Sequence, residues 1–289
     1  MATTKRTRRD ERSATVRNAG RLRAAGLYAA LAIGLVFVAG PFVWTLLGSF
    51  KSDAEIRQEP PTFLPLRWIT GNYAALFERM DVVTVTLNSA VVAVIVVASN
   101  LLFCSMVAYA LTKLPFAAGR AVFGLVLLQM MVPAIVLLIP QFVTVASLGL
   151  ADTYAGIVLP GLVTPLGVFL MRQFMADIPD ELVHAARVDG SGEFRIFFRI
   201  VLPLCKPVLA TLGLITFMGS WNAFVWPAVV AQRKEMYTLP VALASLSGRE
   251  TVHYGLLLAG VIVVITPVLL LFVFLQRYFV QGVATAGLK

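Results

Sequence analysis

Six runs of uncharged, mostly apolar residues recur along the chain: Leu27–Leu47, Thr84–Leu111, Ala121–Gln141, Tyr154–Met171, Val208–Val230 and Gly255–Leu275. Each approaches the roughly 20 residues that a bilayer's hydrocarbon thickness demands of a spanning helix. The pattern predicts an all-α polytopic membrane protein with six transmembrane helices. The third and fourth runs are the hardest to divide, because Asp152 is the only charge between Arg120 and Arg172. That stretch is too long for one span, and Gly149 to Asp152 mark a short hairpin within it. Pro133, Pro140, Pro160 and Pro165 predict kinks there. Six crossings place both termini on one side.

Composition supports the same class. The chain has 289 residues, 59% hydrophobic and 13% charged, which is more apolar surface than one soluble core can hide. The distribution of Lys and Arg sets the orientation. The first, third, fifth and seventh polar segments carry 8, 2, 5 and 2 of them, and the alternate segments carry 4, none and 3. The side with 17 is the cytoplasmic one, so both termini are expected in the cytoplasm. The net charge of +9 therefore reads as a topology signal. The basic leader KRTRRDER suits anionic lipid at the membrane surface, and no nucleic-acid partner is expected. That leader is too long for a cleaved signal peptide, so Leu27–Leu47 is read as retained. Cys104 lies in the second run and Cys205 on the cytoplasmic side, which excludes a disulfide framework.

All fifteen acidic residues, like the Lys and Arg residues, lie outside the six runs. An ion-coupled carrier usually holds a titratable group at membrane depth, so this chain's energy source is expected outside the bilayer. No phosphate-binding G-x-x-x-x-G-K-[ST] loop is present, and hydrolysis of ATP would have to be a partner's work. A membrane enzyme would need acids or histidines gathered at one membrane face. The two histidines, His184 and His253, fall on opposite sides by this topology.

The charge-rich internal segment 172–207 holds five acids and five bases. Asp177 is expected to cap a helix starting at Ile178, which runs through ELVHAARV and stops at Asp189-Gly190, where glycine supplies a positive φ. Ser191 is expected to cap a second helix, EFRIFFRIVL, ending towards Pro203 and Pro207. Phe194, Phe197, Phe198 and Val201 recur at helical spacing in it. The pair Ala185-Ala186, on an exposed face, would let another helix or groove approach closely. This predicts a two-helix docking element below the membrane.

The stretch ELVHAARVDGSGEFRIFFRIVLPLCKP resembles the EAA loop of the membrane subunits of ATP-binding-cassette importers, on Ala185, Ala186, Asp189, Gly190 and Pro203. The motif's glutamate is replaced by His184, with Glu181 one helical turn earlier. The pieces FKSDAEIRQEPPTFLP, NYAALF, LNS, GSWNAFVWP, YTLPVALASL and LQRYFVQGVATAG extend the resemblance over nearly the whole chain, to permeases of the carbohydrate-uptake, maltose-transporter type. The resemblance implies a type I importer permease in a prokaryotic plasma membrane, with a basic tail over 1–26, a permease domain over 27–280 containing the coupling loop 172–207, and a tail over 281–289. It also implies a second permease, a dimeric cytoplasmic ATPase and an extracytoplasmic solute-binding protein. ATP and Mg would be used by the ATPase, and this chain would bind no cofactor. The first loop helix, with Glu181 and His184, would seat on that ATPase.

A sugar path needs hydroxyl partners and flat apolar faces. Ser220, Trp221 and Asn222 in the fifth run and Gln129 in the third supply these types. An interfacial anchor fits Trp226 better than Trp221, Trp44 and Trp68 also read as interface residues, and an Asn in a transmembrane helix is commonly interhelical glue. Phe224 and Val225 would extend the Trp221 face if the helix continues. Sugars, polyols and glycerol-phosphate esters remain open as solutes.

Overall fold

The computed structural model describes residues 3–115, 117–246 and 253–286, with side chains over 24–270 of those ranges and at 273. Among the described residues there is helix and no strand. The chain divides into two compact units, Met1–Ala74 with His253–Ile262, and Ala75–Val252 with Val263–Lys289.

In the first unit, α1 (Thr3–Gly48) contains the apolar segment Ala24–Gly48, 25 residues long enough to cross a membrane. The chain then turns through α2 (Asp53–Ile56), capped by Ser52 Oγ accepting from Glu55 N at 3.2 Å. Next, α3 (Gly71–Arg79) begins in this unit and ends in the other. Polar side chains hold these turns together. Asn72 donates to the carbonyls of Ser49 and Lys51, at 2.8 and 2.9 Å, and Glu55 accepts from Thr62 Oγ1 and Leu66 N. Asp53 accepts from Gly255 N, at the start of the last helix, and lies 2.9 Å from His253 Nδ1. Gly255 is required because a Cβ there would stand 2.6 Å from the Asn72 amide.

The second unit opens with α4 (Val82–Ser99), capped by Asp81, which passes through a π-helical turn at Asn100–Cys104 into α5 (Ser105–Lys113). Together they form an apolar run of 32 residues that contains the expected second span. The expected third span is broken. Helices α6 (Gly119–Met131) and α7 (Ala134–Ser147) meet at 107°, because Pro133 forces Val132 out of the helical region. By contrast Pro140 sits inside α7 without ending it. The fourth span is likewise bent by 43° between α8 (Tyr154–Val158), with a 3-10 turn through Gly161, and α9 (Pro165–Ala176).

The charged segment forms α10 (Asp180–Val188), α11 (Glu193–Ile196), a π turn at Phe197–Val201 and α12 (Leu202–Leu204). An 81° bend leads into α13 (Lys206–Trp221). The expected fifth span stops short: Asn222 caps α13 and the chain restarts as α14 (Val225–Val230), so Phe224 and Val225 do not continue the Trp221 face. Then follow α15 (Leu239–Ser245) and α16 (Tyr254–Ala286), which belongs to both units. Among the described residues, two continuous helices are long and apolar enough to span a membrane, and the number is up to five if each of the three bent pairs is one span.

The main core of the second unit joins α5, α9 and the π turns, with Ala108, Met171, Met175, Ile196 and Val201 fully buried. Both cysteines are buried and free. Outside this core, Asp152, at φ +58, clasps the hairpin after α7 to the segment after α14 by accepting from Gln232 N, Arg233 N and Arg233 Nε.

Candidate functional site: an elbowed helix and a largely apolar groove

Local sequence explains the elbow at α10. Asp177 caps the C-terminus of α9, and Pro179, with ψ of 132°, takes the N-cap position of α10, so that the helix starts at Asp180, two residues later than the expected Ile178. A proline excludes the preceding residue from the helix, and Ile178 is buried instead. Asp180 and Glu181 then fill the first turn, where the helix dipole favours negative charge. At the other end Gly190 has φ +79°, the left-handed conformation the sequence predicts. Its N–H donates to Arg187 O at 3.0 Å, and Ser191 N donates to Ala186 O at 2.9 Å, a Schellman closure. Ser191 is thereby used, and Gly192, not Ser191, caps α11.

The element has two faces. Val183 and Ala186 are buried, whereas Glu181, Leu182, His184, Ala185, Val188 and Asp189 are exposed. The expected alanine pair is thus split, since neighbours on a helix point about 100° apart. The phenylalanine stripe divides too: Phe197 and Val201 are buried in the π turn, while Phe194 and Phe198 are exposed. Pro203 lies in α12 and is exposed.

Three of the segment's ten charges, Asp180, Arg187 and Glu193, are held by polar partners on α5 and across the elbow. Lys113, at the end of α5, is buried, and its Nζ donates to Ile178 O and Asp180 Oδ1, both at 2.6 Å. Arg187 donates to Glu193 Oε1 at 2.7 Å and to Lys113 O at 2.8 Å, and Tyr109 OH donates to Glu193 Oε2 at 2.5 Å. Hydrogen bonding and charge from Lys113 hold the Asp180 carboxyl below the usual carboxylate range. Arg187 does the same for Glu193 against the opposing effect of burial.

Between α4, α8, α9 and α13 lies a groove of about 340 Å³ lined by Val96, Ile157, Gly161, Thr164, Thr216, Ser220 and Trp226, among others. Most helical hydroxyls in this chain donate to a carbonyl one turn back, as Thr45, Ser105, Thr112, Thr144 and Thr211 do. Thr216, nine-tenths buried, and Ser220, one turn later on the same face, have no hydrogen-bond partner among the described residues and face the groove. The groove wall is fixed by Asn100, fully buried in the π turn. Its amide donates to Val96 O and Gly161 O, and its carbonyl accepts from Thr164 N and Oγ1.

Of the residues named from the sequence, only Ser220 and Trp226 line this groove. Trp221 is 3% exposed, stacks on Phe217 and donates from Nε1 to Val264 O at 3.1 Å. Asn222 is exposed at the end of α13 and bonded to Met218 O, and Gln129 is exposed on α6. Trp226 is more than an interfacial anchor, since its Nε1 donates to Ile157 O at 3.0 Å. Trp44 and Trp68 are exposed. Sequence reading missed Asn100, Thr216, Tyr109 and Lys113. A polar residue inside an apolar run was the available signal for the first two.

Residues 101–285 match the family described as binding-protein-dependent transport system inner membrane component. The arabinooligosaccharides transport system permease protein AraQ of Halalkalibacterium halodurans is 37% identical over 266 residues, covering 90% of this chain and 95% of that protein. The sn-glycerol-3-phosphate transport system permease protein UgpE of Brucella abortus is 33% identical over 261 residues, covering 87% of this chain and 93% of that protein. A chain from the crystal structure of a bacterial ABC transporter that imports the acidic polysaccharide alginate superposes with a TM-score of 0.79 at 25% identity, covering 90% of this chain and 98% of that one.

Proposed function

Because the chain belongs to the binding-protein-dependent transport system inner membrane components, we infer that it is a permease subunit of an ATP-binding-cassette importer for a sugar or sugar-like solute. It is a multi-pass transport subunit with no catalytic activity of its own, and hydrolysis belongs to a separate chain. The finer reading is that six spans, some of them bent, place both termini and α10 in the cytoplasm. A second permease completes the path, a dimeric ATPase using ATP and Mg docks below, and a solute-binding protein docks above.

The observation carrying the coupling assignment is the two-faced α10, fixed inward by Val183 and Ala186 and presenting Glu181, His184 and Ala185 outward beyond a glycine elbow. His184 cannot supply the full negative charge of the motif's usual residue near pH 7, so docking rests on packing around Leu182 and Ala185, with Glu181 the available carboxylate. The groove is the solute path in this subunit. Thr216 and Ser220 offer hydroxyl partners and Trp226 an aromatic surface, while Trp221 braces the wall from behind. Asn222 and Gln129 border the path only where the partner permease closes it.

The test is co-purification followed by reconstitution. The chain should bring down a second permease and an ATPase pair. Ala185→Arg should abolish stimulation of ATP hydrolysis by the binding protein, purified with its own solute, while membrane insertion stays intact. Stimulation at the parent level would overturn the coupling assignment.

A further inference from the structure

We propose that Lys113 and Tyr109 are positioning residues that make the second span, α4 through α5, the lever moved by α10, so that docking events at α10 reach the groove through this helix. The proposal rests on the assignment of α10 as the ATPase-docking element.

The two ends of α10 are tied to the same place. Near its start, Asp180 Oδ1 and the preceding Ile178 O accept from the Lys113 ammonium. Near its end, Arg187 Nη2 donates to the backbone carbonyl of Lys113. A nine-residue helix is about 13 Å long, so bonds at its first and eighth residues fix its pitch as well as its position. One turn earlier on α5, Tyr109 OH reaches Glu193, the residue that also receives Arg187. Positions 109 and 113 share a helix face, and that face grips both sides of the glycine elbow.

These partners are 65 to 84 residues apart in sequence. The covalent neighbours of α10 give a different picture, because α9 precedes it through a proline and α11 follows it through a left-handed glycine. The polar bonds from Lys113 and Tyr109, added to the packing of Val183 and Ala186 in the core, therefore supply a stiff connection. Burial acts at the Lys113 end: its side chain is 3% exposed while that of Asp180 is 65% exposed, and an ammonium removed from water is held only where its donors are satisfied, here by Ile178 O and Asp180. Nearer the middle of the same continuous helix, Val92 and Val96 line the groove together with Thr216 and Ser220. Between wall and knot lies the π turn, pinned by Asn100 to Gly161 and Thr164. A displacement of α10 thus has a continuous mechanical route to the groove wall.

The test uses the whole importer in liposomes, with stimulation of ATP hydrolysis and the solute moved per ATP measured on addition of the binding protein purified with its own solute. Tyr109→Phe removes one oxygen and keeps the ring packed 5.4 Å from Phe197, so folding is preserved. Tyr109→Phe and Lys113→Met should each lower stimulation by about fivefold or more at matched complex abundance. Solute per ATP should fall with it, and Lys113→Arg should recover most of both. If both variants keep parent stimulation while Ala185→Arg abolishes it, the docking assignment survives and the lever is overturned. Loss of stimulation that merely tracks loss of complex, with Tyr109→Phe silent, also overturns it. A silent Ala185→Arg removes the premise and sinks both readings.

Discussion

Gly190 carries a requirement that no contact reveals. A Cβ there would meet nothing within 4 Å, yet its φ of +79° is strained for any side chain. Gly190→Val should therefore loosen the elbow by about 1–2 kcal/mol through backbone strain alone. It should reduce transport per ATP without changing the affinity of the binding protein for solute, and parent-level transport would show that the elbow tolerates another geometry. In the groove, Thr216→Val with Ser220→Ala should lower initial uptake at matched abundance, at about 0.5–1.5 kcal/mol for each hydrogen bond lost. Unchanged uptake by the double variant would move the path elsewhere. The two sites differ in how far the sequence reveals them. An Asp-Gly pair closing an amphipathic run announces its own conformation. Asn100 looks like any polar residue in an apolar helix, because its partners Gly161 and Thr164 lie more than sixty residues away.

At the scale of elements, apolar length locates the helices but not their breaks. Three prolines in the third and fourth runs mark real interruptions, at Pro133 and at Pro160 and Pro165, while Pro140 stays inside α7. Nor does composition reveal that α13 ends at Trp221, since GSWNAFVWP remains apolar beyond it. The charged segment was legible as two helices and an elbow, but its inward charges were not, because Lys113 belongs to another element. Those charges carry a pH dependence. Asp180 and Glu193 are held below the usual carboxylate range in the folded protein, first by hydrogen bonds from Lys113 and Arg187 respectively. Their stabilisation is complete above the ordinary carboxylate pKa and is lost as pH falls through the lowered values. The melting temperature of the parent minus that of Lys113→Met should be constant from about pH 5 to 7 and shrink only below about pH 4. A difference that already shrinks between pH 6 and 5 would rule out Asp180 as its source, since Glu193 is held by Arg187 in both proteins.

For the whole molecule, the uneven placement of 17 and 7 basic residues is the signal on which the expected orientation rests, whereas no charge inside the runs identifies a solute. The corner between α6 and α7 has a consequence for the life of the chain before it ever transports anything. At this 107° turn the helical ladder breaks, with turn bonds from Val132 N to Gln129 O and from Val136 N to Pro133 O, and within a bilayer hydrocarbon would supply no water for the backbone groups left over. Around it, α6 has no buried residue and α7 only Val145. A newly made copy diffusing alone in the bilayer carries this wet corner uncovered, and membrane proteases should treat it as damage. Pulse-chase labelling should find the solitary chain cleared several times faster than the chain made together with its second permease. Equal lifetimes would mean that the corner seals itself. If it does not, balanced synthesis of the two permeases is enforced by degradation, and excess of either cannot accumulate as an open, leaking half-channel.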